Sequence, residues 1–402
     1  MPIDEAMAIL AARIRPVDGL ETLALPAALG RVLAQPLLAR MSVPPHDNSA
    51  VDGYAVRTAD IKGGKVLPIG GRVAAGHPLG RAIRAGEAIR IFTGAPMPEG
   101  ADAVAMQEDC TVEGESVRLP PDLAPGDNRR KAGEDIEAGR QALPAGRRLK
   151  PADLALAASV GHDRLAVRRA LRVAVFSTGD EIREAGRPLD PGCIYDANRH
   201  ALMAQLADLG LGCRVTDLGI LPDRLDAIQN ALAQAAADHD LLVTSGGVSL
   251  GEEDHVKAAV QALGRLHFWR LAIKPGRPVA LGQVGATPFI GLPGNPVAAM
   301  VTFALIARPL LLLLSGCPDI TPLRYRAKAA FAFSKKPGRR EFQRIRLAEE
   351  GGDLVAHRFA ADGSGILSSM VASNALLDMA EGDTQIREGD WVSVLPFAEV
   401  MR

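Results

Sequence analysis

The chain has 402 residues, with 46 basic and 47 acidic side chains giving a formal charge of −1 at neutral pH. That length supports roughly two to four domains, each able to bury a core, and so even a charge exerts no global pull toward nucleic acid or an anionic membrane, so any anion site must be local. The four cysteines, Cys110, Cys193, Cys213 and Cys317, include no C-x-x-C pair and the eight histidines no H-E-x-x-H, which argues against a zinc hydrolase or a disulfide framework and fits a reducing, cytoplasmic setting.

From the amino terminus, apolar positions between Ile3 and Ile14 have helical spacing, and Asp4 and Glu5 suit a first turn while breaking any secretory signal. After Pro16 the segment closing at Pro36 reads as scaffold. Residues 44–57, PPHDNSAVDGYAVR, form a polar loop with a turn at Asp52-Gly53 leading into a short strand from Tyr54. Such acceptor-dense loops make turns, and they are also where rigid scaffolds display binding groups. Between Lys65 and Pro120 short glycine-punctuated runs predict a β-rich domain inserted in the scaffold, with Thr93 and Asp102 on a Pro/Gly-stiffened loop. The run PGDNRRKAGEDIEAG sets Arg129, Arg130 and Lys131 beside Glu134 and Asp135, either a solvated face or a phosphate clamp. A scaffold helix follows over 151–161.

From Leu171 to Ser315 strand-like and helix-like runs alternate, which predicts a mostly parallel α/β sheet covered by helices. Helices are expected over about 197–209 and 223–237, after Asp254, and from Pro296. Three strand exits share small residues: Ser177-Thr178-Gly179 followed by Asp180 and Glu181; Ser245-Gly246-Gly247; and Pro293-Gly294-Asn295, where Asn295 reads as a helix N-cap and Pro296 as the first helical residue. Each could be a plain turn. Together on one sheet edge they predict a phosphate or nucleotide site, with glycines letting main-chain N–H groups approach an anion and Glu252, Glu253 and Asp254 offering hard oxygens to Mg²⁺. Arg270, Lys274 and Arg277 supply positive charge, and a spacing of four would set Arg270 and Lys274 on one strand face.

The most apolar run, Pro309 to Leu314, is far shorter than the ~20 residues that span a bilayer. Beyond Pro318 the pattern is all-β, a small barrel or sandwich. Its loop PGRREFQRIR concentrates Arg339, Arg340, Arg344 and Arg346, as solvated edge-strand charge would.

Seven strings, NSAVDGYAVR, IFTGAPMPEGADAV, GED, STGDEI, TSGGVSLGEEDHV, FWRLAIKPGRP and GLPGNPVAA, occur in the order found in molybdopterin molybdenumtransferases, the MoeA family, which the gephyrin E domain resembles. The likeness covers nearly the whole chain. It implies a multidomain α/β protein: an N-terminal region 1–168 (scaffold 1–43 and 136–168 around a β-rich insert 44–135), a MogA-like α/β domain 169–318 and a C-terminal β-barrel 319–402. The implied reaction is Mg²⁺-dependent insertion of molybdate into adenylylated molybdopterin with release of AMP. Matching positions imply functional roles for Asp52, Thr93, Arg130, Asp135, Glu181, Asp223, Asp254, Lys274, Arg344 and Ser364. Among these, Asp223 and Asp254 would hold Mg²⁺, Glu181 would support them or handle protons, and Lys274 would hold phosphate or molybdate. Many relatives carry lysine where this chain has Arg270, which keeps the charge but changes its geometry.

The resemblance also implies an elongated homodimer whose sites draw on both subunits, with transient contacts to a MogA-like adenylyltransferase and to molybdoenzyme chaperones. The rival readings are a molybdopterin adenylyltransferase, from the α/β domain, and a non-catalytic scaffold, from the gephyrin likeness. Neither nucleic acid nor membrane is expected as a partner.

Overall fold

The computed structural model describes residues 1–247 and 255–401. The first helix, Ile3–Arg13, buries Ile3, Ala6 and Leu10, spaced three and four apart, in the core of the α/β region. Two antiparallel pairings build the scaffold, Leu20–Ala24 with Arg164–Arg168 and Leu37–Leu38 with Gln141–Leu143. The chain leaves and re-enters it through a pinched neck, where Val43 bridges Ile136 and Asn48–Ser49 pairs with Arg129–Arg130. Beyond the neck lies a six-stranded sheet running from Gly53–Val56 to Ser116–Arg118. Gly53 opens its strand, and the reason it is glycine is packing: a Cβ there would lie 1.9 Å from the Ala105 carbonyl oxygen.

The central sheet comprises β1 (Arg172–Thr178), β2 (Arg214–Leu221), β3 (Leu241–Ser245), β4 (Gly264–Arg270), β5 (Pro278–Val284) and β6 (Thr287–Leu292). Their order is β2-β1-β3-β6-β5-β4. The first four are mutually parallel and the last two add antiparallel, so the expected mostly parallel sheet ends in a hairpin. Alternate residues serve opposite layers. Val173 and Val175 join a core with helices Asn198–Asp208 and Pro296–Thr302, whereas Ala174 and Phe176 join a second core with Leu225–Asp238 and His255–Leu263. Apolar positions on both faces explain why β1 and β3 read as unbroken apolar runs.

The long helix expected from Pro296 runs to Leu314, and its apolar character extends beyond the run Pro309 to Leu314: over 19 residues it is apolar enough by length and composition to cross a membrane, yet 89 % of its apolar window is buried within the protein. It is a core helix. Residues Phe303–Ala307 form a π-helical stretch, and the wider turn falls where Pro309 would otherwise crowd the preceding carbonyls.

At the carboxyl end, five strands close on themselves. Arg340–Glu350 pairs with Asp353–Arg358 and with Ala375–Met379; Tyr325–Ala329 pairs with Asp353–Arg358 and Trp391–Pro396; and Trp391–Pro396 returns to Ala375–Met379. This is a barrel, not a sandwich, and closure leaves no open edge among these strands. The arginine-rich run is correspondingly not a solvated edge. Arg344 is buried, and Arg340 forms a bidentate pair with Asp378 at 2.6 and 2.8 Å, leaving Arg339 and Arg346 exposed.

Asp378 also accepts from Arg324 at 2.9 Å, and its side chain is 1 % exposed. Replacing Asp378 with Asn leaves the half-buried Arg340 with only its longer contact to Asp4 at 3.3 Å as counter-charge, so Asp378→Asn should lower unfolding free energy by about 3 kcal/mol. Urea denaturation followed by circular dichroism checks this; a loss below about 1 kcal/mol contradicts it.

Candidate functional site

The carboxyl edge of the central sheet meets the barrel in a cleft of about 630 Å³. From the sheet come Glu181 after β1, Gly246 and Gly247 after β3, and Pro293, Gly294 and Asn295 after β6. Lys274 and Arg277 reach it from the connection between β4 and β5, and Arg339, Gln343, Arg344 and Ser364 from the barrel. The three strand exits singled out in the sequence therefore converge on one site.

Local backbone demands explain the glycines. Gly246 and Gly247 have φ of 86° and 62°, and a Cβ on Gly247 would approach Val256 Cγ2 to 2.6 Å. The loops are cross-braced: Ser245 Oγ donates to the Pro293 carbonyl at 2.8 Å, and Asn198 Nδ2 donates to Ser245 Oγ at 2.8 Å and to the Gly294 carbonyl at 2.6 Å. Asn198 was not singled out in the sequence, where an Asn near a helix start reads as a cap. The next residue, Arg199, is buried and bonded to Asp196, Asp217 and Glu184, which fixes the base of that helix.

Two main-chain donors expected to meet an anion are occupied. The Gly246 N–H donates to the Leu292 carbonyl at 3.0 Å and the Val297 N–H to the Ser364 carbonyl at 3.0 Å. Asn295 does occupy the N-cap position, but its side chain makes no capping hydrogen bond. Cationic side chains thus carry more of the site's positive potential than helix and loop amides.

Those cations are held in place. Lys274 Nζ donates to Glu341 Oε1 at 2.8 Å, and the buried Glu341 also accepts from Gln343 Nε2. Arg344 donates to Ser369 Oγ at 2.9 Å and to the Gly363 carbonyl at 3.1 Å. Burial pushes the Arg344 pKa down, with only Asp362 and Glu341 pulling it back among nearby charges. A guanidinium stays protonated even so, and with hydroxyl and carbonyl partners its charge remains available to an anion.

Other expected residues lie elsewhere. Ser177 and Thr178 are buried at the end of β1; among the described residues Ser177 Oγ has no hydrogen-bond partner, while Thr178 Oγ1 donates to Asp223 Oδ1 at 3.3 Å. Asp223 precedes the helix Leu225–Asp238 instead of opening it. Gly179, with φ of 144°, shapes the turn before Glu181. Glu252, Glu253 and Asp254 lie outside the described residues, and the following helix starts at His255. Arg270 ends β4 whereas Lys274 belongs to a separate two-residue strand paired with the barrel, so the two do not share a strand face and only Lys274 lines the cleft. Among the described residues no group of three or more His, Cys, Asp or Glu is set to hold a metal ion.

Asp52, Thr93, Arg130 and Asp135 do not line the cleft. They belong to a second cluster knitted from three N-terminal loops, with Ser49 N–H on the Ala95 carbonyl at 2.9 Å, Ala132 N–H on Asp47 Oδ1 at 2.8 Å and Asp135 N–H on the Val43 carbonyl at 3.0 Å. Asp52 Oδ1 accepts both the main-chain N–H and the hydroxyl of Thr93 at 2.8 Å.

Comparison with known proteins agrees over the whole chain. Residues 1–161 match the MoeA N-terminal region (domain I and II), 174–312 the probable molybdopterin binding domain, and 326–397 the MoeA C-terminal region (domain IV). A molybdopterin molybdenumtransferase of Haemophilus influenzae is 39 % identical over 95 % of both chains, and molybdopterin molybdenumtransferase 2 of Mycobacterium tuberculosis is 35 % identical over 93 % of this chain and 94 % of its own. The crystal structure of a molybdopterin biosynthesis moeA protein from Pyrococcus horikoshii OT3 superposes with a TM-score of 0.83 at 29 % identity, covering 98 % of this chain and 99 % of that one.

The Thr93 hydrogen bonds, main-chain first, hold the Asp52 pKa below the usual carboxylate value. A depressed folded pKa contributes stability above the unfolded value of about 3.9 and loses it as pH falls through the folded value. Thr93→Ala should therefore raise the Asp52 midpoint toward the ordinary value and move that loss to higher pH, as carboxyl NMR titration will read; an unchanged midpoint contradicts the assignment.

Proposed function

We propose that this chain, which belongs to the molybdopterin molybdenumtransferase family and so is a transferase of molybdenum cofactor biosynthesis, inserts molybdate into adenylylated molybdopterin with release of AMP. The observation that carries this reading is the shared cleft, where Lys274, Arg277, Arg339 and Arg344 outnumber the carboxylates Glu181 and Asp362. A phosphoanhydride linking two anionic groups, together with a molybdate dianion, calls for such an excess of fixed positive charge, because charge developing on the departing AMP is stabilised by preoriented cations.

The residues divide the work. Arg344, buried and geometrically fixed, and Ser364 on the adjacent barrel loop receive the molybdate side. Lys274 grips phosphate or molybdate by exchanging its contact with Glu341 for one with the substrate. Gly246, Gly247, Pro293, Gly294 and Asn295 shape a floor on which the substrate lies close to the backbone, and Glu181 takes or returns a proton at its margin. Asp223, just beyond β2, offers a carboxylate to Mg²⁺, which is usually held by one or two carboxylates plus substrate phosphates; Asp223 and Asp254 would hold it, and when bound it would supply charge for anhydride cleavage.

The N-terminal cluster of Asp52, Thr93, Arg130 and Asp135 enters this reading through a homodimer in which that cluster of one copy closes the cleft of the other. A MogA-like adenylyltransferase would hand on the substrate in the cytoplasm, and molybdoenzyme chaperones would receive the product.

AMP release from pre-adenylylated molybdopterin with molybdate and Mg²⁺ should fall by about a hundredfold or more in Lys274→Ala, Asp223→Ala and Asp254→Ala. Wild-type rates in all three would overturn the site, and net adenylate formation from ATP and molybdopterin would instead favour an adenylyltransferase. Mixing Asp52→Ala with Lys274→Ala protein under conditions of subunit exchange should restore a measurable part of the activity that each variant lacks; no recovery would contradict sites shared between copies.

A further inference from the structure

In the N-terminal cluster, one guanidinium holds the backbone on which Asp52 and Thr93 stand. We propose that Arg90 is a positioning residue: it clamps the Asp52 turn and the Thr93 loop together, so that carboxylate and hydroxyl are presented in a single orientation. This role for Arg90 rests on the reading above, in which the N-terminal cluster of one copy closes the cleft of the other.

Strand pairing brings the parts together. The strand Ala88–Ile91 pairs antiparallel with Gly53–Val56, with Arg90 opposite Tyr54 and Ile91 opposite Gly53, so Asp52 and Thr93 leave the sheet from neighbouring strand ends. Arg90 Nη1 donates to the Gly53 carbonyl at 3.1 Å and Nη2 to Gln107 Oε1 at 2.6 Å. Gln107 donates its main-chain N–H to the Asp52 carbonyl at 3.0 Å, and its Nε2 donates to Glu108 Oε1 at 3.1 Å, which fixes the amide that faces Arg90. Two successive carbonyls, at Asp52 and Gly53, are therefore held by Arg90, one directly and one through Gln107.

The plane of the same guanidinium serves the other partner. It lies 4.8 Å from the Phe92 ring centre and 5.0 Å from that of Tyr54, and Arg72 lies over the Phe92 ring at 4.7 Å. Phe92 directly precedes Thr93, so a ring held in this stack limits where the Thr93 N–H and hydroxyl, both donors to Asp52, can point. Lysine has neither the plane to stack on the rings nor the fork to reach both oxygens. Among the described residues Arg90 makes no ion pair, so a salt bridge does not account for it. Its charge does reach Asp52, as the smallest of the influences that lower that carboxyl, after the Thr93 hydrogen bonds. Cys110, which also feels Arg90, is pushed by burial up to about 11 and stays a neutral thiol where carboxylates titrate.

The test compares the full-length protein with Arg90→Lys, Phe92→Leu, Asp52→Ala and the double variant Arg90→Lys/Asp52→Ala, reading the Asp52 carboxyl midpoint by NMR and AMP release from adenylylated molybdopterin with molybdate. Arg90→Lys keeps the positive charge, so a rise of the midpoint toward that of Thr93→Ala reports loosened hydrogen bonds; the buried Ala55 amide in the adjoining strand should exchange with solvent as in the parent. AMP release should fall by about tenfold in Arg90→Lys. The residual rate of Asp52→Ala should not fall further in the double variant, because Arg90 acts through the pair it positions. Phe92→Leu should raise the midpoint in the same direction and keeps the test open if Arg90→Lys fails to fold. An unchanged midpoint in both variants, or a double variant about tenfold slower than Asp52→Ala, would overturn the proposal. Parent-like AMP release by Asp52→Ala would instead overturn the reading that places the cluster in the site, whatever the midpoints show.

Discussion

A two-residue strand joins the two halves of the cleft. Ile273–Lys274 leaves the central sheet and pairs in parallel with Arg340–Glu341 at the start of the longest barrel strand, and the Arg340 N–H donates to the Ala272 carbonyl at 2.7 Å. The Arg340–Asp378 pair anchors that strand inside the barrel. Lys274 then stands within reach of Glu341, and Gln343 and Arg344, two and three residues further along, enter the cleft lining. Phe342, Leu376 and Leu395 of the barrel share a buried core with the sheet, and the short pairing sets the register in which the cationic side chains meet.

Reading the sequence alone recovers the sheet better than the site. Strands β1 and β3 are apolar on both faces because helices cover both, so their runs are unmistakable, and Gly246-Gly247 marks a bend that only glycine makes without strain. The arginine run misleads for a physical reason: charge in a sequence reads as solvent-facing, and only the fold shows that Asp378, Ser369 and carbonyls compensate Arg340 and Arg344. Asn198 is equally hidden, since its brace joins loops some 47 and 96 residues away. Family resemblance selected Asp52, Thr93, Arg130 and Asp135 as functional, but no sequence pattern says that they form a cluster separate from the cleft.

Function follows from how charge is distributed. The chain is nearly neutral overall, so each anion site arises from local clustering rather than from a general field. In the cleft between sheet and barrel, Glu341 restrains Lys274 and Asp362 lies near Arg344, which keeps the cations ordered before any substrate arrives. In the proposed reaction, ordered cations would have little reorganisation left to do when the anhydride breaks, and a sheet edge and a closed barrel would serve the transfer in that sense. The Asn198 brace and the Arg199 ion-pair group act on the other wall in the same way.

The most direct measurement is a crystal structure of the full-length protein with AMP and molybdate. The account expects the AMP phosphate over Gly246 and Gly247 within hydrogen-bond reach of Lys274, and the molybdate against Arg344 and Ser364. Both ligands ordered at a location away from this cleft, with Lys274 still on Glu341, would contradict it.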